Sequence, residues 1–357
     1  MKSLESITLY RLELPLKVPY KLAFGPVTHF DTLIASVIDA DGNQGLGEAT
    51  ILTGYTPENI DGSWDLIQAL AKDLVTQSDD SNQQLLNQYL ASDPFTVTAL
   101  ASAIEFARHR SSFSAQSFAS VPILGVVNSE SLEDLELEIE HLISSGFNTL
   151  KVKVGFDVEK DSLKVKNVQK VLKERAKIRL DGNQGYSRSE AIRFIELLDP
   201  VGIELFEQPC HADDWDSALA ISKIANVPMM LDESIYGLED IQRAADLKIA
   251  TYIKVKLMKF GSYKKLTDAL SLISNLGMKP VLGNGVAGEI GCWMEALAAK
   301  TYITNAGEMN GFMKPVSSVL QNPLQFKNGC ISLEPSYIPN IDLNLINQFQ
   351  ISTKQYY

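Results

Sequence analysis

Two pairs of lysines have the spacing most suggestive of chemistry in this chain. The letters KVK occur at residues 151–153 and again at residues 254–256. Both lie in runs of apolar and β-branched residues, so each is predicted to be a strand whose two lysines point to the same face. A buried amine is costly unless it is paired or used. Each pair could therefore transfer a proton, with one amine as the base and its partner lowering its pKa or holding a carboxylate.

Three acidic residues end the strand-like runs between the lysine pairs. They are Asp181 in "RLDGNQG", Glu207 in "LFEQP" and Asp232 in "LDES". Three carboxylates brought together repel each other unless a cation lies among them. Oxygen ligands without a neighbouring His or Cys predict Mg²⁺, with Mn²⁺ as a substitute. Asn183 and Glu233 follow two of the acids and are predicted to orient these ligands.

Both sets also have a structural alternative. Acidic residues at strand ends can cap helices, and lysines can close a barrel interior through salt bridges to carboxylates. The regular spacing of these residues favours one common site.

The elements that must position these residues repeat along the chain. From about Val121 onward, a short apolar run is followed by a longer helical stretch eight times, and successive polar run ends from Lys153 to Lys256 are 24 to 28 residues apart. Each step fits one strand, one helix and two loops. Eight such units predict a (β/α)₈ barrel, an α/β fold whose chemistry gathers at the carboxyl ends of the strands. An open doubly wound sheet is the competing architecture, but no G-x-G-x-x-G follows the first strand.

The chain on either side of the repeats has a different character. Strand-like runs up to about residue 60 include a hairpin turn at "DADGNQG", and helical patterns follow to about residue 117. The tail from about residue 316 does not continue the period. We expect an α+β capping domain at residues 1–118, the barrel at 119–315, and a segment at 316–357 that returns to the cap.

The composition excludes several classes of partner. Of 357 residues, 44 are acidic and 32 basic, which gives a net charge of -12 without a basic patch. This argues against binding nucleic acid or an anionic membrane. Three cysteines without metal-type spacing predict a reducing cytoplasmic location. The first residues lack an uninterrupted apolar stretch, so we expect neither a signal peptide nor a membrane anchor.

Five ordered motifs resemble the enolase superfamily, and within it the muconate lactonizing enzyme subgroup. They are "TLKVKVG", "RLDGNQG", "LFEQP", "LDES" and "KVKLMKFGS". The resemblance implies abstraction of a proton α to a carboxylate, with Mg²⁺ stabilising an enediolate intermediate. Motif matching gives the implied metal ligands as Asp181, Glu207 and Asp232.

The same resemblance implies roles for the lysines. Lys153 and Lys256 match the acid/base pair on opposite faces of the substrate, and Lys151 matches a supporting amine. The pattern K-x-x-K-x-G selects Lys256 and not Lys254 as the sixth-strand residue. Lys254 is then either an inward structural residue or a substrate contact.

Substrate choice in this family depends on the ends of the seventh and eighth strands and on two cap loops. Dipeptide epimerases carry Asp-x-Asp on the eighth strand to hold an ammonium group, whereas this chain has Glu308 and Asn310. Glu308 either binds an amine or pairs with a barrel lysine. The cap loops are expected in "PYKLAFGP" and "EATILTGYTPE". The predicted substrate-binding residues are Glu308, Asn310, Asn284, Lys21, Phe24, Thr53 and Tyr55.

Three functions remain open at this point. The first is a Mg²⁺-dependent racemase or epimerase of an amino acid derivative or dipeptide, or a cycloisomerase of a related acid. The second is a dehydratase similar to o-succinylbenzoate synthase. The third, a barrel that binds a metal or ligand without turnover, is least favoured because such a protein needs no pair of bases. The expected partner is a small carboxylate, and barrels of this family commonly form symmetric homo-oligomers.

Overall fold

The computed structural model describes residues 4–22, 25–54 and 56–357. Its strands, numbered in chain order, are β1 (Leu4–Leu22), β2 (Gly25–Asp39), β3 (Gln44–Ile51), β4 (Ala119–Pro122), β5 (Gly125–Val127), β6 (Thr149–Lys153), β7 (Lys177–Asp181), β8 (Ile203–Glu207), β9 (Met229–Leu231), β10 (Tyr252–Val255), β11 (Lys279–Leu282), β12 (Gln325–Lys327), β13 (Cys330–Leu333) and β14 (Gln350–Tyr356). Its α-helices are α1 (Ile60–Leu74), α2 (Asp79–Tyr89), α3 (Pro94–Arg108), α4 (Leu132–Ser144), α5 (Val158–Leu172), α6 (Arg188–Leu197), α7 (Trp215–Ser222), α8 (Leu238–Leu247), α9 (Leu257–Phe260), α10 (Tyr263–Asn275), α11 (Glu289–Tyr302) and α12 (Leu343–Phe349). Short 3₁₀ turns lie at Arg110–Ser112 and Gly311–Met313.

Strands from both ends of the chain form an antiparallel cap sheet in the order β14-β1-β2-β3. The predicted turn after Asp39 connects β2 to β3 as a hairpin. The segment "PYKLAFGP" differs from the expected loop, because β1 continues to Leu22 and Tyr20 lies opposite Val27 on β2. The position of Tyr20 is therefore fixed by strand pairing with β2. The local sequence of this segment does not reveal that pairing.

Helix α3 joins the cap to the barrel. It packs closely on β3, where a Cβ added to Gly47 would lie 2.2 Å from the carbonyl oxygen of Ala99. Its other side reaches the barrel at Met258, whose carbonyl oxygen lies 3.4 Å from Thr98 Oγ1. The helix is buried on nearly every face for this reason.

Seven parallel strands, β5 to β11 in chain order, form a curled sheet. The predicted eighth run, "NAGEMNG", forms an isolated bridge rather than a full strand. Its backbone nevertheless joins the two edges, since Gly307 N–H donates to Pro122 and Glu308 N–H donates to Leu282. The chain thus forms a (β/α)₈-type barrel, as its repeats predict.

The C-terminal tail contacts both parts of the molecule. Strands β12 and β13 pair with β4 beside the barrel, while β14 pairs with β1 in the cap. Only the end of the tail therefore adds a strand to the cap sheet. Within the residues the structure describes, no helix has the length and apolarity needed to cross a bilayer.

Candidate active site

Three carboxylates gather at the carboxyl ends of adjacent barrel strands. Asp181 is the last residue of β7, Glu207 is the last residue of β8, and Asp232 directly follows β9. Asp181 and Glu207 lie opposite each other in register. All three side chains are almost completely buried. The parallel sheet therefore places the predicted acids side by side at the mouth of the barrel.

Two lysines stand between these carboxylates. Lys151 Nζ lies 2.7 Å from Asp181 Oδ2 and 3.1 Å from Glu207 Oε2. Lys254 is paired with Glu207, and its Nζ lies 3.6 Å from Asp232 Oδ2. Alternating positive and negative groups make this burial of charge tolerable.

The pKa values reflect these surroundings. Burial disfavours the Lys151 ammonium, but Asp181 and Glu207 outweigh it, so the pKa of Lys151 is raised well above its usual range. Burial and repulsion from Asp181 raise the pKa of Glu207 to about 8. Burial beside other charges thus shifts the pKa of both groups strongly from its usual range.

Lys256 and Lys259 hold the third acid. Lys256 Nζ lies 2.8 Å from Asp232 Oδ2, and Lys259 Nζ lies 2.9 Å from Asp232 Oδ1. Lys259 also donates to the carbonyl oxygens of Asp232 and Ile235. Burial tends to raise the pKa of Asp232, but Lys256 and Lys259 hold it well below its usual range. The motif "KVKLMKFGS" contains Lys259, but its spacing does not predict the contact with Asp232.

Lys153 lies at the opposite side of the mouth from Lys256. It ends β6, lies opposite Asp181 in register, and is exposed. In the part of the chain that the structure describes, no carboxylate lies within ion-pair distance of its amine.

The donor atoms of this cluster fit Mg²⁺. Buried carboxylate oxygens are the ligands that this hard cation prefers. Asn183 Nδ2 donates to Glu233 Oε1 at 3.2 Å, and Asn183 N–H donates to Asp181 Oδ1 at 3.0 Å. Among described residues, the buried atom Glu233 Oε2 accepts no hydrogen bond. Glu207 Oε2 likewise accepts no hydrogen bond, although the Lys151 amine lies 3.1 Å away as an ion-pair partner. A buried oxygen with spare acceptor capacity beside a cluster of acids fits a divalent cation.

The three acids nevertheless differ from a tightly gathered ligand set. Within the described ranges, the group of three potential ligand residues whose atoms all lie within 4.8 Å is Glu13, His29 and Asp31 on the cap. Asp181, Glu207 and Asp232 do not form such a group in these ranges, and the amines of Lys151 and Lys254 lie between them.

The eighth segment places Glu308 against the barrel lysines. Glu308 Oε1 lies 2.7 Å from Lys254 Nζ and 3.0 Å from Lys151 Nζ. Burial tends to raise the pKa of Glu308, but the two amines hold it below its usual range. The salt bridge of the second alternative is present, and Lys254 points inward beside it. The substrate-binding role of Glu308 stays a prediction.

The other predicted substrate contacts are arranged differently. Asn284 Nδ2 donates to Glu295 Oε2 at 2.5 Å and to Cys292 Sγ at 3.4 Å, so its amide is bonded to α11. Thr53 is exposed and forms a backbone bridge with Thr56. The side chains of Lys21, Phe24 and Tyr55 lie outside the described part of the structure.

An apolar roof lies over the mouth. Phe30, Leu52 and Val286 form a buried cluster, and Tyr20 packs against it with its ring centre 5.7 Å from that of Phe30. Burial raises the pKa of Tyr20, and the charges of Lys151 and Glu308 act on the same hydroxyl. Tyr20 was missed, although it lies within the cap segment that the sequence indicated.

Comparisons with known proteins agree with this arrangement. Residues 134–336 match the family model described as enolase C-terminal domain-like. L-Ala-D/L-Glu epimerase of Clostridium acetobutylicum is 26% identical over 318 residues, which cover 84% of this chain and 88% of the epimerase. N-succinyl-L-Arg/Lys racemase of Bacillus cereus is 23% identical over 95% of this chain and 92% of the racemase.

Solved structures show the same fold. The N-succinyl Arg/Lys racemase from Bacillus cereus superposes with a TM-score of 0.89 at 21% identity, covering 100% of both chains. Muconate lactonizing enzyme from Pseudomonas fluorescens gives a TM-score of 0.86 at 23% identity, covering 98% of this chain and 99% of its own.

Proposed function

Because this chain belongs to the enolase C-terminal domain-like family, we propose that it is a Mg²⁺-dependent racemase or epimerase. It moves the proton α to a carboxylate between the two faces of the substrate. The observation that carries this proposal is the placement of Lys153 and Lys256 at the ends of β6 and β10. Three segments separate these strands in either direction around the ring.

Two amines on opposite sides of a bound substrate account for inversion. One removes the α-proton from its face, and the other returns a proton to the opposite face. Lys256 is held in place through Asp232, whereas Lys153 is exposed at the mouth. The buried Lys151 supplies fixed positive charge close to where the substrate carboxylate would lie.

Asp181, Glu207 and Asp232 are the residues that would hold Mg²⁺, with Asn183 and Glu233 orienting them. The cation, when bound, supplies positive charge that stabilises the negative charge developing on the substrate carboxylate. The residues of the chain position that carboxylate between the two amines.

The substrate class is an N-acylated amino acid or dipeptide. Relatives of this chain are named as epimerases of dipeptides and as an N-succinyl amino acid racemase. Glu308 is ion-paired with both Lys151 and Lys254, so its negative charge is already balanced within the protein. Of these two classes, this favours the N-acylated amino acid, which has no ammonium group, over a dipeptide with a free N-terminus. The three unpaired cysteines further support the proposal of a cytoplasmic enzyme.

The proposal is tested by incubation in D₂O with Mg²⁺. The panel contains N-acylamino acids, dipeptides, muconate-type acids and the o-succinylbenzoate precursor, read by NMR and mass spectrometry. Deuterium at the α-position with inversion is the expected result. Loss of water without inversion would instead identify a dehydratase, and lactone formation a cycloisomerase.

Single-lysine variants sharpen this test. We expect Lys153→Ala and Lys256→Ala each to lower racemisation by at least about a hundredfold, because each removes one of two acid/base groups. Each variant should still exchange the α-proton of the enantiomer whose proton faces the remaining amine. Lys153→Ala and Lys256→Ala should therefore keep exchange activity toward opposite enantiomers. Lys160→Ala, at an exposed position on α5, is the control. Equal exchange of both enantiomers in either variant would contradict the two-base arrangement.

A further inference from the structure

Lys314 places a positive charge between the cap and the eighth segment of the barrel. It follows the turn Gly311–Met313 and is half-buried. Its ammonium donates to Asn310 Oδ1 at 3.2 Å and lies 5.3 Å from the ring centre of Tyr20. Its backbone carbonyl accepts from Lys17 N–H on β1, which fixes this segment against the cap.

The partners of this amine are neutral. In the described residues, no carboxylate oxygen lies within ion-pair distance of Lys314 Nζ. Burial lowers the pKa of Lys314 below its usual value. A neutral amide and an aromatic face compensate a partly desolvated ammonium less well than a carboxylate does.

Lys314 lies at the edge of the proposed substrate chamber. Tyr20, which contacts its ammonium, belongs to the apolar roof and lies within the electrostatic influence of Lys151 and Glu308. Asn310, its other partner, lies two residues after Glu308. The Lys314 amine therefore lies on the same rim as the cluster that contains Lys151 and Glu308, but nearer to the cap.

The charges on this rim indicate what it would attract. Glu308 is bonded to barrel lysines, and the neighbouring Asn310 is neutral and already accepts from Lys314. This edge consequently presents positive charge to the chamber. It would repel a substrate ammonium and attract an anion.

We propose that Lys314 binds a second carboxylate of the substrate, distant from the reacting α-carbon. The substrate would then be a dianion, with the second carboxylate either on the N-acyl group or on the amino acid side chain. This inference rests on the proposed function, because it takes the α-carboxylate to lie among Lys151, Asp181 and Glu207.

The test compares matched ligands by isothermal titration calorimetry in the presence of Mg²⁺. N-succinyl-L-alanine and N-succinamoyl-L-alanine differ only in a carboxylate or carboxamide on the acyl group. N-acetyl-L-glutamate and N-acetyl-L-glutamine differ in the same way on the side chain. We expect the wild type to bind one carboxylate ligand at least about tenfold more tightly than its amide. The pair that shows the preference identifies which group reaches Lys314.

Variants assign the preference to Lys314. Lys314→Met should abolish the difference within that pair, weakening the carboxylate ligand about tenfold while leaving the amide within about twofold. Lys314→Arg should keep part of the preference for the carboxylate ligand over its amide, because it keeps the positive charge. Lys327→Met removes an exposed lysine on β12, and it should bind like the wild type.

Several outcomes would overturn the assignment. One such outcome is a wild type that binds the carboxylate and the amide of each pair equally well. Another is that Lys314→Met weakens binding of carboxylate and amide equally, as expected for a purely structural role. Exchange of the α-proton in D₂O is measured on the same ligands. A carboxylate preference without α-proton exchange would support the anion site and contradict the proposed function. Exchange without a carboxylate preference would support the proposed function and contradict the anion site.

Discussion

Gly283 sets how closely the loop after β11 approaches the lysines of β10. A Cβ at this position would lie 2.8 Å from Lys254 Cδ and 2.8 Å from Lys256 Cγ. Both lysines are buried and ion-paired, so they have little room to move away. We expect Gly283→Ala to lower kcat for α-proton exchange by at least about tenfold, because it displaces the amine that transfers the proton. Steady-state kinetics would measure this, with KM changing less than kcat.

The control is Gly237→Ala, at a position where an added Cβ meets nothing within 4 Å. It should keep the wild-type kcat. If Gly283→Ala also kept it, the position of Lys256 would not matter for turnover, and its assignment as an acid/base residue would be wrong.

Some residues of the site could be predicted because they follow from strand geometry. Asp181, Glu207 and Asp232 end successive parallel strands, and parallel strands bring their ends to one edge. The partners of these acids depend on long side chains that reach across the barrel. Lys151 spans 157 positions in sequence to reach Glu308, and no local pattern specifies that contact.

At the scale of elements, Glu48 connects the cap to the barrel. It lies on β3 and is buried, and its Oε1 accepts from Gly291 N–H in the first turn of α11. Burial raises the pKa of Glu48 from 4.5 to about 7. The folded protein therefore binds this proton more tightly than the unfolded chain does. The resulting stabilisation is fully present below pH about 4.5 and is lost as the pH rises through about 7.

A substitution isolates this contribution. We expect Glu48→Gln to reduce the fall in the free energy of unfolding between pH 4.5 and pH 7.5 by up to about 3 kcal/mol. Urea unfolding at several pH values would measure it. Glu136→Gln, at an exposed position on α4, should leave the pH dependence unchanged. Identical pH profiles for the wild type and Glu48→Gln would show that this carboxyl ionises without cost in the fold.

The eighth barrel segment and strand β1 differ in length from what the sequence predicts, because contacts distant in sequence determine where each one ends. The eighth run contains Gly307, whose backbone donates to Pro122, and it closes the barrel through a few bonds without extending into a strand. Strand β1 extends to Leu22 because β2 pairs with it beyond the irregularity between Pro15 and Tyr20. Local apolar patterns predicted that these segments exist, but pairing partners distant in sequence determined their lengths.

At the scale of the whole molecule, charge is distributed unevenly. The chain has a net charge of -12, yet six lysines lie at its described barrel mouth and rim, namely Lys151, Lys153, Lys254, Lys256, Lys259 and Lys314. The carboxylates of Asp181, Glu207, Asp232, Glu233 and Glu308 lie among them and offset most of this charge. Amines placed among these acids, together with the cation that the acids would hold, can bind a small anion, while the acidic rest of the surface repels large polyanions. The net charge argues against nucleic acid as a partner, but only the fold shows where the lysines meet.

Strand β1 links the end of the chain to the proposed chamber. Its first half pairs with β14, from Ile7 opposite Tyr356 to Leu12 opposite Gln350, and its far end carries Tyr20 over the mouth. We expect deletion of residues 350–357 to lower Tm by at least about 5 °C, because it exposes the edge of β1 and removes its backbone pairing. It should also raise KM several-fold, since the roof residue Tyr20 is then less firmly held. Differential scanning calorimetry and steady-state kinetics would measure the two effects.

Deletion of Tyr357 alone keeps the β1–β14 pairing and should change neither Tm nor KM. An unchanged Tm with a raised KM would mean that the tail positions the roof without stabilising the fold, and no change in either would show that the returning strand is dispensable.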